Sequence, residues 1–348
     1  MGLRNPSIYI LGNYRIEDRL GVKQMKVYVK ASARLHLGLI DLGGDLGRFF
    51  GGVGVAINQP NAIVEAEKSE RLTVEGEKSE LVKPWVEGFL KKYDLKPEVA
   101  VCVKQVIPQH VGLGSGTQLA LATSAALAKL FNVEASTQEL SKTMGRGTVS
   151  GVGTALFEKG GFVAEGGVKS QNGKPLASWN SFPPVIFQSS FPKNWFFTVA
   201  IPQVKGGLSG EAEAHAFRDM PPMSAEQAGR ISRLILMSLL PALKEKDIKT
   251  FGGALTQIQN LVGDCFASAQ GGRFSSSPSS QCIEFMLRHG AFGAGQSSWG
   301  PTVYGLVEGK EQAEKLSLDV QRFLQKSVGG QVFWTGANNR GAYIKTTS

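Results

Sequence analysis

A short glycine-rich loop restricts the possible folds of this chain more than any other segment does. The loop follows a predicted strand at residues 99–103 and precedes a long apolar helix predicted at 117–131. It contains Gly112, Gly114, Ser115, Gly116 and Thr117. Glycine lets the backbone approach a ligand closely, and the free N–H groups at a helix start attract anions. The loop therefore predicts a phosphate site, although a merely tight strand-to-helix turn is the alternative. Its spacing matches neither a Walker loop nor a dinucleotide fingerprint.

The composition favours a globular protein with an acidic partner. The chain has 348 residues, with 38 Lys and Arg against 29 Asp and Glu, which gives a net charge of +9. This charge indicates either nucleic acid or a polyphosphorylated small molecule, or it serves solubility alone. No run of five basic residues is present, which weakens the nucleic-acid alternative. The three widely spaced cysteines indicate reduced thiols in a cytoplasmic protein, and no apolar run is long enough to cross a membrane.

The chain divides into a leader and two α+β units. Residues 166–194 are polar and aperiodic, which makes them the best candidate boundary. We expect an N-terminal extension at 1–24, a first domain at 25–185 that carries the glycine-rich loop, and a second domain at 186–348. This length suits two domains better than one.

Local patterns predict several elements. Apolar residues alternate from 25 to 37, as in a half-buried strand. Residues 81–93 have helical spacing, and Ser136 with Glu139 forms a capping box at the start of another helix. The serine-rich residues 273–280 are expected to form a loop.

Two motifs resemble those of the GHMP kinase superfamily. The first is the Pro-x-x-x-Gly-Leu-Gly-Ser sequence that starts at Pro108, and the second, Gly-Ala-Gly-Gln-Ser-Ser-Trp-Gly-Pro, starts at Gly293. The resemblance implies an α+β GHMP-kinase-like fold, with an N-terminal domain similar to domain 2 of ribosomal protein S5 and a ferredoxin-like C-terminal domain. It also implies that the second motif contacts substrate through Gly295, Gln296, Ser297 and Ser298.

The details differ from those of the superfamily's kinases. Many of these kinases carry Ser-Gly-x-Asp, whose Asp is the base toward a substrate hydroxyl, whereas Gly153 stands at that position here, three residues after Ser150. An ATP-dependent small-molecule kinase remains the second hypothesis, because some members lack that Asp. A basic nucleic-acid-binding protein is the third, and it predicts strongly salt-sensitive RNA binding.

A narrower resemblance accounts for these departures. Residues 34–48 and 51–56, together with the segments around Arg146 and Ser150, are similar to the signature of the beta-ribofuranosylaminobenzene 5′-phosphate synthase family. Membership implies that phosphoribosyl pyrophosphate reacts with 4-aminobenzoate or 4-hydroxybenzoate to give a C-riboside 5′-phosphate, pyrophosphate and CO₂. This reaction is the first committed step toward tetrahydromethanopterin. The resemblance also suggests a homodimer. In this reaction we expect Mg²⁺ to stabilise the leaving pyrophosphate, no need for pyridoxal phosphate because the substrate's own ring holds the electrons, and no ATP. We expect neither nucleic acid nor a membrane as a partner.

That reaction suggests roles for the charged residues. Arg34, Arg48 and Arg146 would pair with the phosphates, because guanidinium groups bind phosphate bidentately. Arg48 could instead be a surface arginine.

The remaining candidates are acids and a histidine. Asp41 would either stabilise the oxocarbenium-like ribose carbon or hold Mg²⁺, and a turn residue is the alternative for it. His36 or Glu211 could contact the para substituent of the acceptor. A packed histidine and an ordinary helix N-terminal acid are the respective alternatives.

Overall fold

The computed structural model describes residues 25–147, 149–171, 174–175, 182–204, 206–208 and 210–347. The leader predicted at 1–24 lies outside the described residues. The described chain forms two β-sheets with helices packed on them. No helix among these residues is long and apolar enough to cross a membrane.

The first sheet is built on two long antiparallel strands, β1 and β2. The alternation predicted from residue 25 onward is confirmed, because the side chains of Val27, Val29, Ala31, Ala33, Leu35 and Leu37 are fully buried. Strand order is β13-β1-β2-β4-β3, with β5 pairing β2 and β8, and with β6 and β7 forming a small extension. The strands are β1 (Lys26–Asp41), β2 (Arg48–Lys68), β3 (Thr73–Gly76), β4 (Val99–Gln105), β5 (Phe162–Glu165), β6 (Val168–Gln171), β7 (Lys174–Pro175), β8 (Val185–Ser189) and β13 (Tyr343–Thr347).

Four helices accompany this sheet, and the glycine-rich loop leads into the most buried of them. They are α1 (Ser79–Lys92), α2 (Ser115–Phe131), α3 (Thr137–Thr143) and α4 (Val152–Lys159). Helix α2 packs on β1 and β2 and is also covered by the other three helices, so it is apolar all round. The predicted capping box of α3 is confirmed, with Ser136 and Glu139 bonding each other's backbone N–H groups.

The second sheet has the strand order of a ferredoxin-like fold. Its order is β10-β11-β9-β12, and every neighbouring pair is antiparallel. The strands are β9 (Trp195–Pro202), β10 (Gly293–Gln296), β11 (Val303–Glu308) and β12 (Gly330–Gly336). Its helices are α5 (Glu211–Asp219), α6 (Ala225–Leu234), a π-helical segment (Ile235–Leu239), α7 (Leu240–Glu245), α8 (Ile248–Gln270), α9 (Ser277–Arg288) and α10 (Lys310–Gln325).

The prediction of a loop over the whole of residues 273–280 is wrong, because α9 begins inside that stretch. Ser276 accepts a hydrogen bond from the N–H of Ser279 (3.2 Å), and Pro278 occupies the first turn. A serine cap followed by an early proline favours a helix start, so the serines at the end of this run are helical.

One large hydrophobic cluster includes residues of both sheets. Strand β13 pairs with β1 and β8 pairs with β5, so the first sheet includes strands from beyond residue 184. Helix α8 packs on both β10 and β1, and Gln259 in its middle donates to the carbonyl oxygen of Leu37 (2.8 Å). The junction of β1, α8 and the loop before α2 therefore holds the two sheets in a fixed relation.

Candidate active site

The two glycine-containing motifs lie directly against each other at this junction. Gly112 has a φ of 89°, and a Cβ there would lie 2.1 Å from the carbonyl oxygen of Ser297. The Ser297 hydroxyl donates to the Gly112 carbonyl (2.7 Å) and accepts from the backbone N–H of His36 (2.9 Å). Ser297 is fully buried, so these bonds join β1 to both motif loops at one point.

Two arginines lie beside the N-terminus of α2. Gly114, the N-cap residue, has a φ of 77°, and no side chain caps the helix. A Cβ at position 114 would lie 3.2 Å from the Cγ of Arg34, and one at Gly116 would lie 3.4 Å from the guanidinium nitrogens of Arg146. The loop glycines thus make room for two guanidinium groups next to the free N–H groups of the helix start.

Both guanidinium groups are desolvated. Burial lowers the pKa of Arg34 to about 10, and the charge of Glu213 acts in the opposite direction. Burial also lowers the pKa of Arg146, whose guanidinium lies over the ring of Trp85 at 5.2 Å. Within the described chain neither arginine forms an ion pair, and the Nε of Arg146 has no hydrogen-bond partner. Two half-buried cations, neither within ion-pair distance of a carboxylate in the described residues, form a ready anion site.

A cavity of about 250 Å³ opens beside these arginines. One wall is aromatic: the ring centroids of Phe266 and Trp299 are 4.4 Å apart, and Phe217 packs on Trp299 at 5.4 Å. A second cleft, of about 660 Å³, lies over the glycine-rich loop. The residues that line both spaces are Arg34, Thr117, Arg146, Glu213, Ser298 and Trp299. Ser115, Gly114, Gly112 and Gly116 line the outer cleft.

The acid of α5 that lines the cavity is Glu213. Its Oε1 accepts a hydrogen bond from the Nε1–H of Trp299 (2.9 Å). Burial raises the pKa of Glu213, while Trp299 and the charge of Arg34 lower it. Glu211, the residue predicted from the sequence, is exposed and does not line the cavity. The two residues differ because they are two positions apart on a helix, where side chains point to different faces.

His36 lines the cavity as a neutral imidazole. Burial and the neighbouring charge of Arg34 lower its pKa to about 3. Its ring lies against Gly52, where a Cβ would come within 3.1 Å of the imidazole Nε2. A neutral ring of this kind can donate or accept a single hydrogen bond toward a bound molecule, but it carries no positive charge near pH 7.

Asp41 and Arg48 lie at the tip of the β1–β2 hairpin and are not among the residues that line the cavity. The Oδ1 of Asp41 accepts the backbone N–H groups of Gly43 (2.7 Å) and Gly44 (3.0 Å), which is the turn role considered for it. Arg48 donates to the carbonyls of the two glycines that follow β5, residues 166 and 167, at 2.5 and 2.6 Å. In this structure both side chains bond the backbone around the site, and their proposed chemical roles stay predictions.

The second motif lines the cavity through two of its four predicted residues. Gln296 and Ser298 are lining residues, whereas Gly295 and Ser297 lie behind them. A Cβ at Gly295 would lie 2.3 Å from Gln259, whose Oε1 accepts the backbone N–H of Gln296 (2.7 Å). Ser150 and Gly153 also line the cavity. Gly153 stands where many of the superfamily's kinases have their catalytic Asp, so no carboxylate projects into the cavity from that position.

Several lining or supporting residues have no sequence signal. Phe217, Phe266 and Gln259 are ordinary members of amphipathic helices, and their place at the site follows only from packing. Arg273 lines the cavity but pairs with Asp264, with Nε and Oδ1 2.7 Å apart.

The described residues contain no group of three or more His, Cys, Asp or Glu side chains that could hold a metal ion. Mg²⁺ needs only one or two protein carboxylates when phosphates supply the other ligands. Glu213 is the only glutamate or aspartate among the cavity-lining residues that the structure describes, and Asp41 uses one oxygen in its turn. Asp41 is not among the residues that line the cavity, and its expected contact with Mg²⁺ stays a prediction.

The sequence matches family models and curated proteins. Residues 80–160 match the GHMP kinases N terminal domain, and residues 239–326 match the GHMP kinases C terminal domain. The beta-ribofuranosylphenol 5′-phosphate synthase of Methanothermobacter thermautotrophicus is 34% identical over 336 residues, which cover 92% of this chain and 99% of that protein. The protein of the same name from Archaeoglobus fulgidus is 33% identical, with 91% and 99% covered.

Solved structures with the same fold are more distant in sequence. Homoserine kinase from Cytophaga hutchinsonii superposes with a TM-score of 0.63 at 18% identity, covering 97% of this chain and 100% of its own. Mevalonate diphosphate decarboxylase from Staphylococcus aureus gives 0.63 at 15% identity, with 92% and 98% covered. These similarities confirm the predicted two-domain α+β fold and indicate nothing further about chemistry.

Proposed function

Because this chain belongs to the family of the beta-ribofuranosylphenol 5′-phosphate synthases, we propose that it transfers a phosphoribosyl group to an aromatic acid. The donor is phosphoribosyl pyrophosphate and the acceptor is 4-hydroxybenzoate or 4-aminobenzoate. The products are a C-riboside 5′-phosphate, pyrophosphate and CO₂. The name of the relatives favours the phenol product and hence 4-hydroxybenzoate.

The observation that carries this proposal is the pair of half-buried guanidinium groups at the α2 N-terminus. Arg34 and Arg146 lie against loop glycines, without carboxylate partners among the described residues. The donor carries a 5′-phosphate and a pyrophosphate, whose oxygens gain charge as the pyrophosphate leaves. Fixed cations and N–H groups in a water-poor cleft stabilise that charge in the transition state. We assign the pyrophosphate to the outer cleft on these grounds.

The aromatic wall of the inner cavity suits the acceptor ring. Phe217, Phe266 and Trp299 form an apolar, edge-on surface on which a benzoate can pack. The cavity volume of about 250 Å³ accommodates a single substituted ring. We therefore assign the acceptor to the inner cavity, next to the donor.

The chemistry then needs few protein groups. The C1–O bond of the donor breaks, and its electron pair leaves with pyrophosphate. The ring carbon that bears the carboxylate attacks C1, and the bond to CO₂ then breaks and returns its electron pair to the ring. No general base is needed to remove a proton from the ring carbon, because CO₂ leaves from it instead. This agrees with the glycine at position 153, where many of the kinases have a catalytic Asp. Glu213 is the carboxylate placed to stabilise positive charge on C1. Burial raises its pKa, and Trp299 and Arg34 oppose that rise and so favour the ionised form.

The remaining expectations are carried forward as parts of the proposal. Neutral His36 contacts the acceptor's substituent by a hydrogen bond. Mg²⁺ would arrive with the pyrophosphate as its counter-ion, and no step above depends on it. The homodimer, the cytoplasmic location and the absence of ATP and pyridoxal phosphate also stay predictions.

The test measures release of CO₂ from carboxyl-labelled 4-hydroxybenzoate and 4-aminobenzoate. Reactions contain phosphoribosyl pyrophosphate and Mg²⁺, and a parallel series contains ATP instead. We expect release only with the phosphoribosyl donor, with an equal amount of pyrophosphate. Arg146→Ala should reduce turnover at least a hundredfold, whereas Arg322→Ala, on the exposed face of α10, should not. Absence of release by folded protein with either acid would refute the proposal, and ATP consumption with small alcohols would then favour the kinase.

A further inference from the structure

A fully buried carboxylate lies one layer behind the cavity. Glu165, the last residue of β5, has no solvent exposure. Its Oε2 accepts the backbone N–H of Gly167 (2.5 Å), and its Oε1 has no donor in hydrogen-bond geometry. A buried carboxylate with an incompletely satisfied oxygen is unfavourable to folding. A buried group of this kind calls for a structural or functional explanation.

The carboxyl group faces the loop that carries Ser150. The Ser150 hydroxyl and the Gly151 N–H lie close enough to stabilise its charged form. Ser150 also lines the inner cavity, so this serine separates the buried carboxyl group from the space assigned to the acceptor.

The charged and titratable groups around Glu165 are few. From β2, the Arg48 guanidinium lowers the pKa of Glu165 through its charge and bonds the carbonyls of residues 166 and 167. From β1, His36 packs on Gly52, which is the pairing partner of Glu165, and this histidine is neutral near pH 7. Strand β8 brings only Val, Ile, Phe, Gln and Ser, and the titratable residues of α4 lie at its far end.

We propose that Glu165 is a positioning residue whose protonation state sets the hydrogen-bonding role of Ser150 toward the acceptor carboxylate. An ionised Glu165 accepts the Ser150 O–H, so the serine presents only lone pairs to the cavity. A protonated Glu165 donates to Ser150 Oγ instead, so the serine O–H is free to donate to the substrate carboxylate. Binding of the aromatic acid to molecules in which Glu165 is ionised is therefore accompanied by uptake of a proton onto Glu165.

The direction of the pH dependence follows from this scheme. Burial raises the pKa of Glu165 to about 7, and the Gly167 N–H, Ser150 and Arg48 only partly offset this effect. Protonated Glu165 thus predominates below pH 7 and the ionised form above it. If only the protonated form binds well, the KM of the acceptor rises by about tenfold between pH 6 and pH 8. Neither benzoate has a group with an ordinary pKa in that interval, so titration of the acceptor does not cause the change.

The experiment compares Glu165→Gln with the wild type. The Gln oxygen can accept from Gly167 while its NH₂ donates to Ser150 Oγ, so this variant mimics the protonated form at every pH. We expect its acceptor KM to be the same at pH 6 and pH 8 and close to the wild-type value at pH 6. Ser150→Ala should also lose the pH dependence, with a KM that is raised throughout. Glu158→Gln, an exposed glutamate of α4, should keep the wild-type dependence.

Proton uptake gives a readout that does not depend on turnover. Calorimetry of 4-hydroxybenzoate binding at pH 7, in buffers of different ionisation enthalpy, should show net uptake for the wild type and none for Glu165→Gln. A pH-dependent KM or proton uptake that persists in Glu165→Gln would overturn the proposal. The inference rests on the proposed function, but the two fail differently, because failure of the function means that no CO₂ is released at any pH.

Discussion

Replacing Arg34 by Met should make the protein more stable and yet unable to bind its donor. The lowering of the pKa of this arginine to about 10 corresponds to about 3 kcal/mol against its charged form in the folded state. Methionine avoids that desolvation and fills a similar volume. The Arg34 bond to the Gly112 carbonyl is lost, at about 1–2 kcal/mol, whereas the attraction to Glu213 is already included in the lowered pKa. Gly112 keeps its bond from Ser297, so no buried carbonyl is left unpaired.

We therefore expect the free energy of unfolding of Arg34→Met to exceed that of the wild type by about 1–2 kcal/mol. The assay is denaturant unfolding with and without pyrophosphate. Pyrophosphate at a hundred times its Kd should stabilise the wild type by about 2.7 kcal/mol and should leave Arg34→Met unchanged. Arg322→Met, an exposed arginine of α10, serves as the control and should change neither value by more than about 0.5 kcal/mol.

The opposite pattern would refute this reasoning. If Arg34→Met is destabilised by more than about 1 kcal/mol and is still stabilised by pyrophosphate, the guanidinium is a structural group. The anion site would then have to be sought elsewhere.

Three further substitutions test the geometry of the site. Gly114→Ala forces alanine into a left-handed conformation and against Arg34, so denaturant unfolding should show a loss of about 1–2 kcal/mol and turnover should fall with it. Ser297→Ala removes two buried hydrogen bonds between β1 and the motif loops and should lower the unfolding free energy by about 2–3 kcal/mol, measured in the same way. Trp299→Phe removes the bond that lowers the pKa of Glu213, so the acidic limb of the pH–rate profile should move to higher pH. An unmoved limb would show that ionised Glu213 is not required.

Features set by local sequence were predictable. The period-two alternation of β1 and the capping box at Ser136 depend on residues close in sequence, and both are confirmed. The glycine-rich loop was placed correctly between a strand and a helix for the same reason. The serine-rich residues 273–280 were predicted as a loop because of their composition. Ser276, within this stretch, caps the helix that begins at Ser277.

The site itself could be predicted only in part. Arg34 and Arg146, from segments of the narrower family signature, and Gln296, from the second motif, all line the cavity. The sequence could not show that Glu213, and not Glu211, faces the cavity. Which of the two faces it depends on how the short helix α5 is rotated about its axis relative to Trp299. Glu165 ends a four-residue apolar strand, and only the tertiary packing of that strand behind Ser150 gives its carboxyl group a neighbour.

The pairing of β13 with β1 has a consequence for how this protein is made. Lys26 and Thr347 are 321 positions apart in the chain, yet they are neighbours at one edge of the first sheet. A ribosome adds about 5–20 residues per second, so the edge of β1 stays open for tens of seconds after it emerges. An open edge is a template on which another chain can pair. The nascent protein therefore passes through a long interval in which its first sheet can aggregate, and this interval closes only when β13 is released.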